Sequence, residues 1–448
     1  MAYRKALGLI AIGAALAIWS GGAVASSDVI EKVQNHLYAG QTAEAAAVAR
    51  GRLAEAPGDD QARFALGAIQ FLQSVEHLGQ ALHRYGLSTS YSDPTGLAGL
   101  PILRLPVPEN PNPEKVTYEA FRGVLAAFVV DLSTAEQTLS SIKNQAIDFP
   151  LNIGLIRLDL NADGTASDEE ALWRIFKRVA GFPWLDEEEA GKLLTDFDES
   201  DVPWLQAYSH LLMAIAEFPL AHDWRNAFET TFHSLFPNAE LPSHALAERD
   251  AEWRRNRDFQ PRYDLAGIAD LIAFVHLNHW PVVEPDRMRS VLEHLEAMVR
   301  LSRESWRRIM AETDDRNEWI PSPRRRDFGD AAGCIQGERN TSITMPCQSG
   351  VLPRMQVTEN TLAGWMLFLD EFEALLQGKK LLPHWRFDQG INLRRMFLEP
   401  STFDIVLLLQ GSAALPYLED GELTAGETWE QIADLFGGDF FRYFIWFN

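Results

Sequence analysis

The stretch from Asp159 to Glu170, DLNADGTASDEE, carries the most explicit chemistry in the chain. Oxygen-bearing side chains stand at alternate positions, Asp159, Asn161 and Asp163, and the stretch ends on three consecutive acidic residues. Closely spaced carboxylate and amide oxygens suit a hard divalent cation, and calcium takes a flexible shell of six to eight oxygens. The residue types therefore indicate a calcium site.

This stretch resembles the calcium-binding loop of the EF-hand family, because it matches the pattern D-x-[DN]-x-[DN]-G-x5-E at every specified position. The resemblance implies side-chain ligands at loop positions 1, 3 and 5, a carbonyl at position 7, a water-mediated contact at position 9 and a bidentate carboxylate at position 12. In this chain those positions are Asp159, Asn161, Asp163, Thr165, Ser167 and Glu170. Gly164 at position 6 permits the sharp turn of the backbone.

Two features depart from the family pattern. Loop position 8 is Ala166, where the family usually has a branched apolar residue that pairs with a partner loop. The segment leading into the loop contains Pro150 and Gly154 and lacks a long helical stripe. We therefore expect a single loop embedded in another architecture, in which calcium acts as a structural clamp rather than a switch.

A second acidic segment, DFDESDVPWLQA, spans residues 196–207. Asp196, Asp198 and Ser200 would fill loop positions 1, 3 and 5, but position 6 is Asp201 and position 12 is Ala207. The segment is either a decayed hand or an acidic helix start capped by Asp201.

Histidines and acidic residues between 201 and 290 are the candidates for catalysis. His276 and His279 are three residues apart on one predicted helix face and could ligate zinc with a distant carboxylate. His210 and Glu217 lie close to one face of another helix, with His222 and Asp223 nearby. For each set, hydrogen-bonded structural groups are the commoner explanation, and no Walker, nucleophile-elbow or dinucleotide motif is present.

The first 25 residues have the layout of a secretory signal peptide. Arg4 and Lys5 provide a basic start, an apolar run follows over residues 6–19, and residues 23–25, AVA, form a cleavage site. An uncleaved anchor is the alternative, but the run is short for a membrane span. We expect a periplasmic or secreted protein with no membrane segment after cleavage.

The formal net charge of −23 also bears on the partners. A surface that binds nucleic acid or anionic lipid needs clustered lysine and arginine, so the acidity argues against both. The two cysteines, Cys334 and Cys347, are expected to form a disulfide in an oxidising compartment. A reactive thiol pair is the alternative, but their spacing is not that of a C-x-x-C motif.

Helical periodicity dominates the chain. Residues 39–78 predict two helices joined by a turn at Pro57-Gly58-Asp59. The small and apolar residues of this segment resemble a tetratricopeptide-type hairpin, although an ordinary antiparallel helix pair fits equally well. They are Gly40, Ala43, Ala45, Ala46 and Ala47 on the first helix and Ala65, Leu66, Ala68 and Phe71 on the second.

The sequence thus predicts a mostly α-helical, multi-helix fold with an N-terminal helical hairpin, one EF-hand-type loop and little β structure. The aromatic stretch 440–448 is predicted to be a short strand or a tail docked in the core. The expected segments are a signal peptide (1–25), a tetratricopeptide-like helical hairpin (26–92), a proline-rich linker or wrapping loop (93–115), a helical domain with the calcium-type loop (116–311), a disulfide-pinned irregular loop (312–357) and a C-terminal helical region (358–448).

Two functions are compatible with these features. The first is an exported calcium-binding protein that acts as a binding or scaffold component, with a protein partner at the N-terminal hairpin. The second is a secreted or periplasmic hydrolase with a structural calcium site. A cavity joining His210, Glu217, His276 and His279 would favour the hydrolase. The thirteen tryptophans are spread through predicted helices, which favours core packing over a carbohydrate-binding platform.

Overall fold

The computed structural model describes residues 28–88, 103–143, 147–179, 185–240, 260–313, 317–323 and 357–448. In these ranges 61% of the structure is helical, in 15 α-helices, and 8% is strand. The predicted mostly α-helical fold with little β structure is confirmed. The predicted signal peptide and both cysteines lie outside the described residues, so the leader and the disulfide stay predictions.

The α-helices are numbered here in chain order. They span 28–38 (α1), Thr42–Glu55 (α2), Asp60–Arg84 (α3), Tyr118–Ser140 (α4), Leu172–Val179 (α5), Glu187–Ala190 (α6), Asp201–Leu220 (α7), Arg225–Thr231 (α8), Gln260–His276 (α9), Pro285–Ile309 (α10), Glu359–Leu376 (α11), Leu393–Leu398 (α12), Ile405–Gln410 (α13), Gly426–Leu435 (α14) and Phe440–Phe447 (α15).

Short 3-10 helices and strands complete the described structure. The 3-10 helices span Ile153–Leu155, Asp168–Glu170, Phe232–Ser234 and Leu415–Tyr417. The strands span Phe149–Asn152 (β1), Leu194–Phe197 (β2), Leu382–His384 (β3), Phe387–Ile391 (β4) and Leu418–Glu419 (β5). Strands β1 and β2 form an antiparallel pair in which Phe149 faces Phe197, and β3, β4 and β5 form a second antiparallel sheet.

The predicted N-terminal hairpin is present as α2 and α3. The Asp59 carboxylate accepts the backbone N–H of Ala62 and so caps α3, and it also pairs with Arg52 of α2 at 2.6 Å. The cap satisfies an N–H group that the first turn of a helix leaves without a partner. The resemblance to a tetratricopeptide hairpin stays a prediction, because an ordinary helix pair has the same local features.

Helix α7 is the central element of the fold. It packs against α4 on one side and α10 on the other, and 15 of its 20 residues are buried. A helix that is apolar around its whole circumference is stable only when other elements surround it. Buried hydrophobic residues from α1 to α15 join in one large core around it, and Ile391, Ala414 and Tyr417 form a separate small cluster.

The C-terminal stretch is a helix, so the alternative of a strand is wrong, whereas docking in the core is confirmed. Its aromatic residues Phe440, Phe444 and Phe447 recur at four- and three-residue steps, which places them on one helix face. They contact Trp365 and Phe368 of α11, with ring centroids 5.1–5.9 Å apart. The helical period therefore outweighs the β propensity of aromatic residues here.

The described part of the proline-rich segment wraps around the core. Leu103, Leu105 and Val107 are buried, and Asn110 donates a hydrogen bond to the carbonyl of His83 at 2.9 Å.

Most of the helical tryptophans pack in the core. Of those that the sequence places on helices, Trp173, Trp204, Trp224, Trp306 and Trp365 are buried, and Trp253 lies outside the described residues.

Candidate metal centre

The two ends of the calcium-type loop lie side by side. Arg157 and Ala171 form an antiparallel bridge, and the N–H of Leu158 donates to the carbonyl of Glu170 at 3.1 Å. The N–H of Leu172 donates to the carbonyl of Ile156 at 2.8 Å. The backbone therefore closes the loop before any ligand contributes.

Side-chain oxygens at the start of the loop face its own backbone. The two carboxylate oxygens of Asp159 accept the N–H groups of Asp163, at 3.2 Å, and Gly164, at 3.0 Å. The Asn161 Oδ1 accepts the N–H of Asp163 at 2.9 Å. Ala162 and Gly164 have φ values of 60° and 85°, which is the left-handed conformation that glycine adopts at least cost. The chain thus curls around the first three candidate ligands.

Asp163 is held as a carboxylate within this curl. Its Oδ1 accepts the Thr165 hydroxyl at 2.6 Å and the Thr165 N–H at 2.8 Å, and its Oδ2 accepts the Asn161 amide at 3.0 Å. These hydrogen bonds, the Thr165 hydroxyl first, lower the pKa of Asp163 below its ordinary value because they stabilise the charged form. Asp163 is therefore available as an anionic ligand.

Glu170 closes the loop from inside the protein. Its side chain is fully buried, its Oε1 accepts the N–H of Leu160 at 2.9 Å, and its Oε2 accepts the N–H and hydroxyl of Ser167, both at 2.8 Å. Ser167 and Glu170 thus form the reciprocal capping box of a helix start. A buried carboxylate needs such partners to offset the cost of its desolvation.

The residue types of the loop fit calcium, although the carboxylate oxygens of Asp159, Asp163 and Glu170 do not all lie within 4.8 Å of one another. Three carboxylates, one amide oxygen and the carbonyl of Thr165 come from one short stretch, and hard oxygen ligands of this kind are what calcium prefers. A carboxylate has about four positions that can accept a hydrogen bond. In Glu170 three of them are occupied, one on Oε1 and two on Oε2. Bidentate ligation by Glu170 therefore requires the Ser167 hydroxyl to turn away from Oε2.

The loop is anchored on the N-terminal hairpin. The Glu76 Oε1 accepts the N–H of Asp159 at 2.8 Å, its Oε2 accepts the Thr42 hydroxyl at 2.5 Å, and the Gln80 amide donates to the carbonyl of Asp159 at 2.8 Å. Burial raises the pKa of Glu76, and the hydrogen bonds from Thr42 and Asp159 oppose that shift. Sequence reasoning missed Glu76 because nothing in α3 marks it as a neighbour of the loop.

Small residues permit this close approach. A Cβ atom on Gly40 would overlap the Cβ of Ala166, and one on Gly79 would lie 2.5 Å from the side chain of Leu160. Ala166 is the residue that departs from the family pattern, and it packs against the hairpin. The hairpin thus covers the side of the loop that carries Ala166.

The second acidic segment does not form a loop of the same kind. Asp196 lies in β2, and Ala207 is buried inside α7. Asp198 instead lies near Glu312 and Glu318, and in the described residues this is the one group of three acidic or histidine side chains close enough to share a cation. Asp201 accepts the N–H of Asp198 at 2.9 Å, and burial, with Asp198 and Glu312 nearby, raises its pKa well above the ordinary value.

The candidate catalytic residues separate into two places. His210 contacts His294 of α10, with the two Nδ1 atoms 2.9 Å apart, whereas Glu217 pairs with Arg287 at 2.5 Å. His279 is 62% exposed and lies 3.1 Å from Asp404. His210 and Glu217 therefore lie between α7 and α10 whereas His279 lies at the surface, and the described residues do not bring the four predicted side chains into one cavity.

The remaining candidate histidines, His276 and His222, lie in different surroundings. His276 is exposed at the end of α9. His222 is buried, and its Nδ1 lies 2.8 Å from the carbonyl of Phe218, while the Asp223 carboxylate accepts the N–H of Arg225 at 3.0 Å. The zinc and hydrolase hypotheses therefore gain no support from the described geometry.

Comparisons with protein-family models, with curated proteins and with solved structures found no match for this chain. Among the described helices, none combines the length and the apolar character that a membrane crossing requires. The interpretation of the loop therefore rests on its own residues and geometry.

Proposed function

We propose that this is an exported calcium-binding protein in which calcium is mainly structural and which serves as a binding or scaffold component. The ligands are Asp159, Asn161, Asp163, Thr165, Ser167 and Glu170. The observation that carries the proposal is the loop itself, which has the calcium-type residues at every specified position and a left-handed turn at Gly164. The oxygens of Asp159, Asn161 and Asp163 accept hydrogen bonds from the loop's own N–H groups, so calcium would have to draw these side chains together with Glu170.

A structural role is favoured by how the loop is held. Sensor hands respond to calcium by changing the angle between their flanking helices. Here the two flanks are bridged at Arg157 and Ala171, and the loop backbone is fixed by Glu76 and Gln80 of α3. Calcium would therefore tie an already docked loop to the hairpin rather than open a groove.

The hairpin is also the proposed contact surface for a protein partner. The outward face of α2 exposes Ala43, Glu44, Ala47 and Arg50, while its inward face is buried against α3. The signal-like start and the net charge of −23 support a periplasmic or secreted location without nucleic acid or membrane as partner.

The calcium proposal is tested by calorimetric titration of the full chain and of two variants. Glu170→Gln removes the charge of the buried position-12 carboxylate, and we expect it to abolish the calcium-dependent heat. Glu169→Gln removes the same charge one residue earlier, on an exposed side chain, and should titrate like the unaltered chain. Absence of heat from the unaltered chain, or equal titration of both variants, would overturn the proposal.

A further inference from the structure

A cavity of about 190 Å³ lies in the hydrophobic core next to the calcium-type loop. Its walls include side chains of α3, α5, α7 and α15. Ile156 and Leu172, which pair across the ends of the loop, also line it. Nearly all of its described lining residues are aliphatic or aromatic.

The cavity is partly open, and its volume is large compared with the voids that remain inside a folded protein. Interiors are packed as densely as organic crystals, with few voids larger than a water molecule. Atoms that face a void lose dispersion contacts, and an apolar void does not attract water in compensation. An apolar cavity of about 150 Å³ takes up benzene, so the present one has room for roughly eight non-hydrogen atoms.

One wall of the cavity carries a hydrogen-bond donor, the Tyr208 hydroxyl. It has no hydrogen bond to a described residue, and burial raises the pKa of Tyr208 to about 12. The Trp319 Nε1 also has no partner among the described residues, but it is fully buried and does not face the open space. Trp204 stacks on Tyr208 at 5.5 Å and lies 5.1 Å from Trp319, so the three rings form one aromatic wall. An oxygen atom of an occupant could accept a hydrogen bond there.

The residues that line the cavity disfavour a charged ligand. The described lining residues include no lysine, arginine or histidine, and Asp201 is the one carboxyl group among them. Burial raises the pKa of Asp201, which favours its neutral form. A charged occupant would lose its hydration without gaining a counter-ion.

We propose that this cavity is a binding site for a small, neutral, largely apolar molecule that carries one hydrogen-bonding oxygen. The site is separate from the calcium loop, and the proposal does not depend on calcium. The apolar part of this ligand fills the space between α3 and α7, and its oxygen accepts a hydrogen bond from the aromatic wall.

The test is a calorimetric titration of the full chain with two probes of equal shape, benzyl alcohol and ethylbenzene. Tyr208→Phe keeps the ring and removes the hydroxyl. Ala68→Phe places a ring in the cavity from α3, and Ala433→Phe makes the same change on the exposed face of α14. Thermal unfolding of each variant confirms that it is folded.

We expect both probes to bind the unaltered chain saturably, with one site. Ala68→Phe should weaken both at least tenfold, while Ala433→Phe should leave both unchanged. Tyr208→Phe should weaken benzyl alcohol about twofold to tenfold and leave ethylbenzene unchanged, because only the alcohol loses a hydrogen bond. The proposal is overturned if the probes do not bind saturably, or if Tyr208→Phe changes the binding of both probes equally. The comparison of the two probes on Tyr208→Phe decides the question even if Ala68→Phe does not fold.

Discussion

At the residue scale, the contact between Gly40 and Ala166 explains a departure from the family pattern. Ala166 stands where EF-hand loops usually have a branched apolar residue, and the structure places it against Gly40 of the hairpin. Gly40 has a φ of 72°, a conformation that a side chain disfavours. The pair therefore combines a left-handed turn with a close approach, and both require small residues.

Replacing Gly40 should separate the loop from the hairpin. We expect Gly40→Ala to lower the free energy of unfolding by about 2 kcal/mol or more, because the added Cβ meets both an unfavourable φ and the Cβ of Ala166. Urea unfolding measures the change.

The matched control is Gly51→Ala on α2. Nothing lies within 4 Å of a Cβ at Gly51, and alanine is a better helix former than glycine, so this variant should be neutral or slightly stabilising. Equal stability of the two variants would contradict the proposed close contact.

The candidate ligands could be predicted from sequence because their pattern is local. Six positions within one short stretch determine the turn, the hydrogen bonds and the ligand types. Glu76 could not be predicted, since it lies 83 residues from Asp159, whose N–H it accepts. A buried glutamate in an amphipathic helix has no sequence signal that names its partner.

At the element scale, the bundle of α4, α7 and α10 contains a polar network within an apolar core. His210 of α7 faces His294 and Arg300 of α10 and Glu136 of α4. Burial, with His294 and Arg300 adding to it, lowers the pKa of His210 to about 4. The bounds of α7 can be predicted from periodicity. The pairing of His210 with His294 cannot, because the two residues are 84 positions apart in the chain.

This network predicts an acid-dependent loss of stability. The unfolded state binds a proton at His210 near pH 6.5 and the folded state near pH 4, so stability is full above pH 6.5 and falls as the pH drops through that window. Lowering the pH from 6.5 to 4 should therefore reduce the free energy of unfolding by about 3 kcal/mol through His210. Urea unfolding between pH 7 and pH 4.5 should therefore show a shallower acid loss for His210→Gln.

His77→Gln provides a comparison of opposite sign. The hydrogen bond to Asp131 raises the pKa of His77, so the native residue contributes stability below its unfolded pKa and loses it as the pH rises. Its removal should make the acid loss steeper. A pH dependence of the His210→Gln chain identical to that of the unaltered chain would exclude the assigned role of His210.

At the scale of the whole molecule, one hydrophobic core includes the hairpin, the flanks of the loop and the C-terminal helix. The helical class follows from composition and periodicity, which are summed over many residues. The arrangement of helices does not, because contacts such as that between α7 and α15 join distant segments. The proposed segment boundaries stay predictions, since a shared core neither fixes nor excludes them.

Removal of calcium should lower the stability of this whole core. Free calcium at a hundredfold excess over its Kd adds about 2.7 kcal/mol to the free energy of unfolding if it binds only the folded state. Urea unfolding in calcium and in excess EDTA should differ by about that amount.

The Glu170→Gln chain serves as the control for this comparison. It should unfold at the same urea concentration with and without calcium, because it lacks the position-12 carboxylate. A calcium effect of equal size in this variant would place the stabilising ion elsewhere in the protein.

The walls of the cavity differ in how soon they can form. The hydrogen bond from Leu160 to Glu170 spans 10 residues, whereas that from Trp204 to Trp446 spans 242. The entropic cost of bringing two residues together grows with the logarithm of the number of residues between them. Forming the longer contact therefore costs roughly 3 kcal/mol more in free energy. The loop can therefore nucleate locally, and the cavity gains its last wall only when α15 docks. During folding, the apolar site therefore stays open to solvent until α15 docks, whereas the calcium-type loop can close earlier.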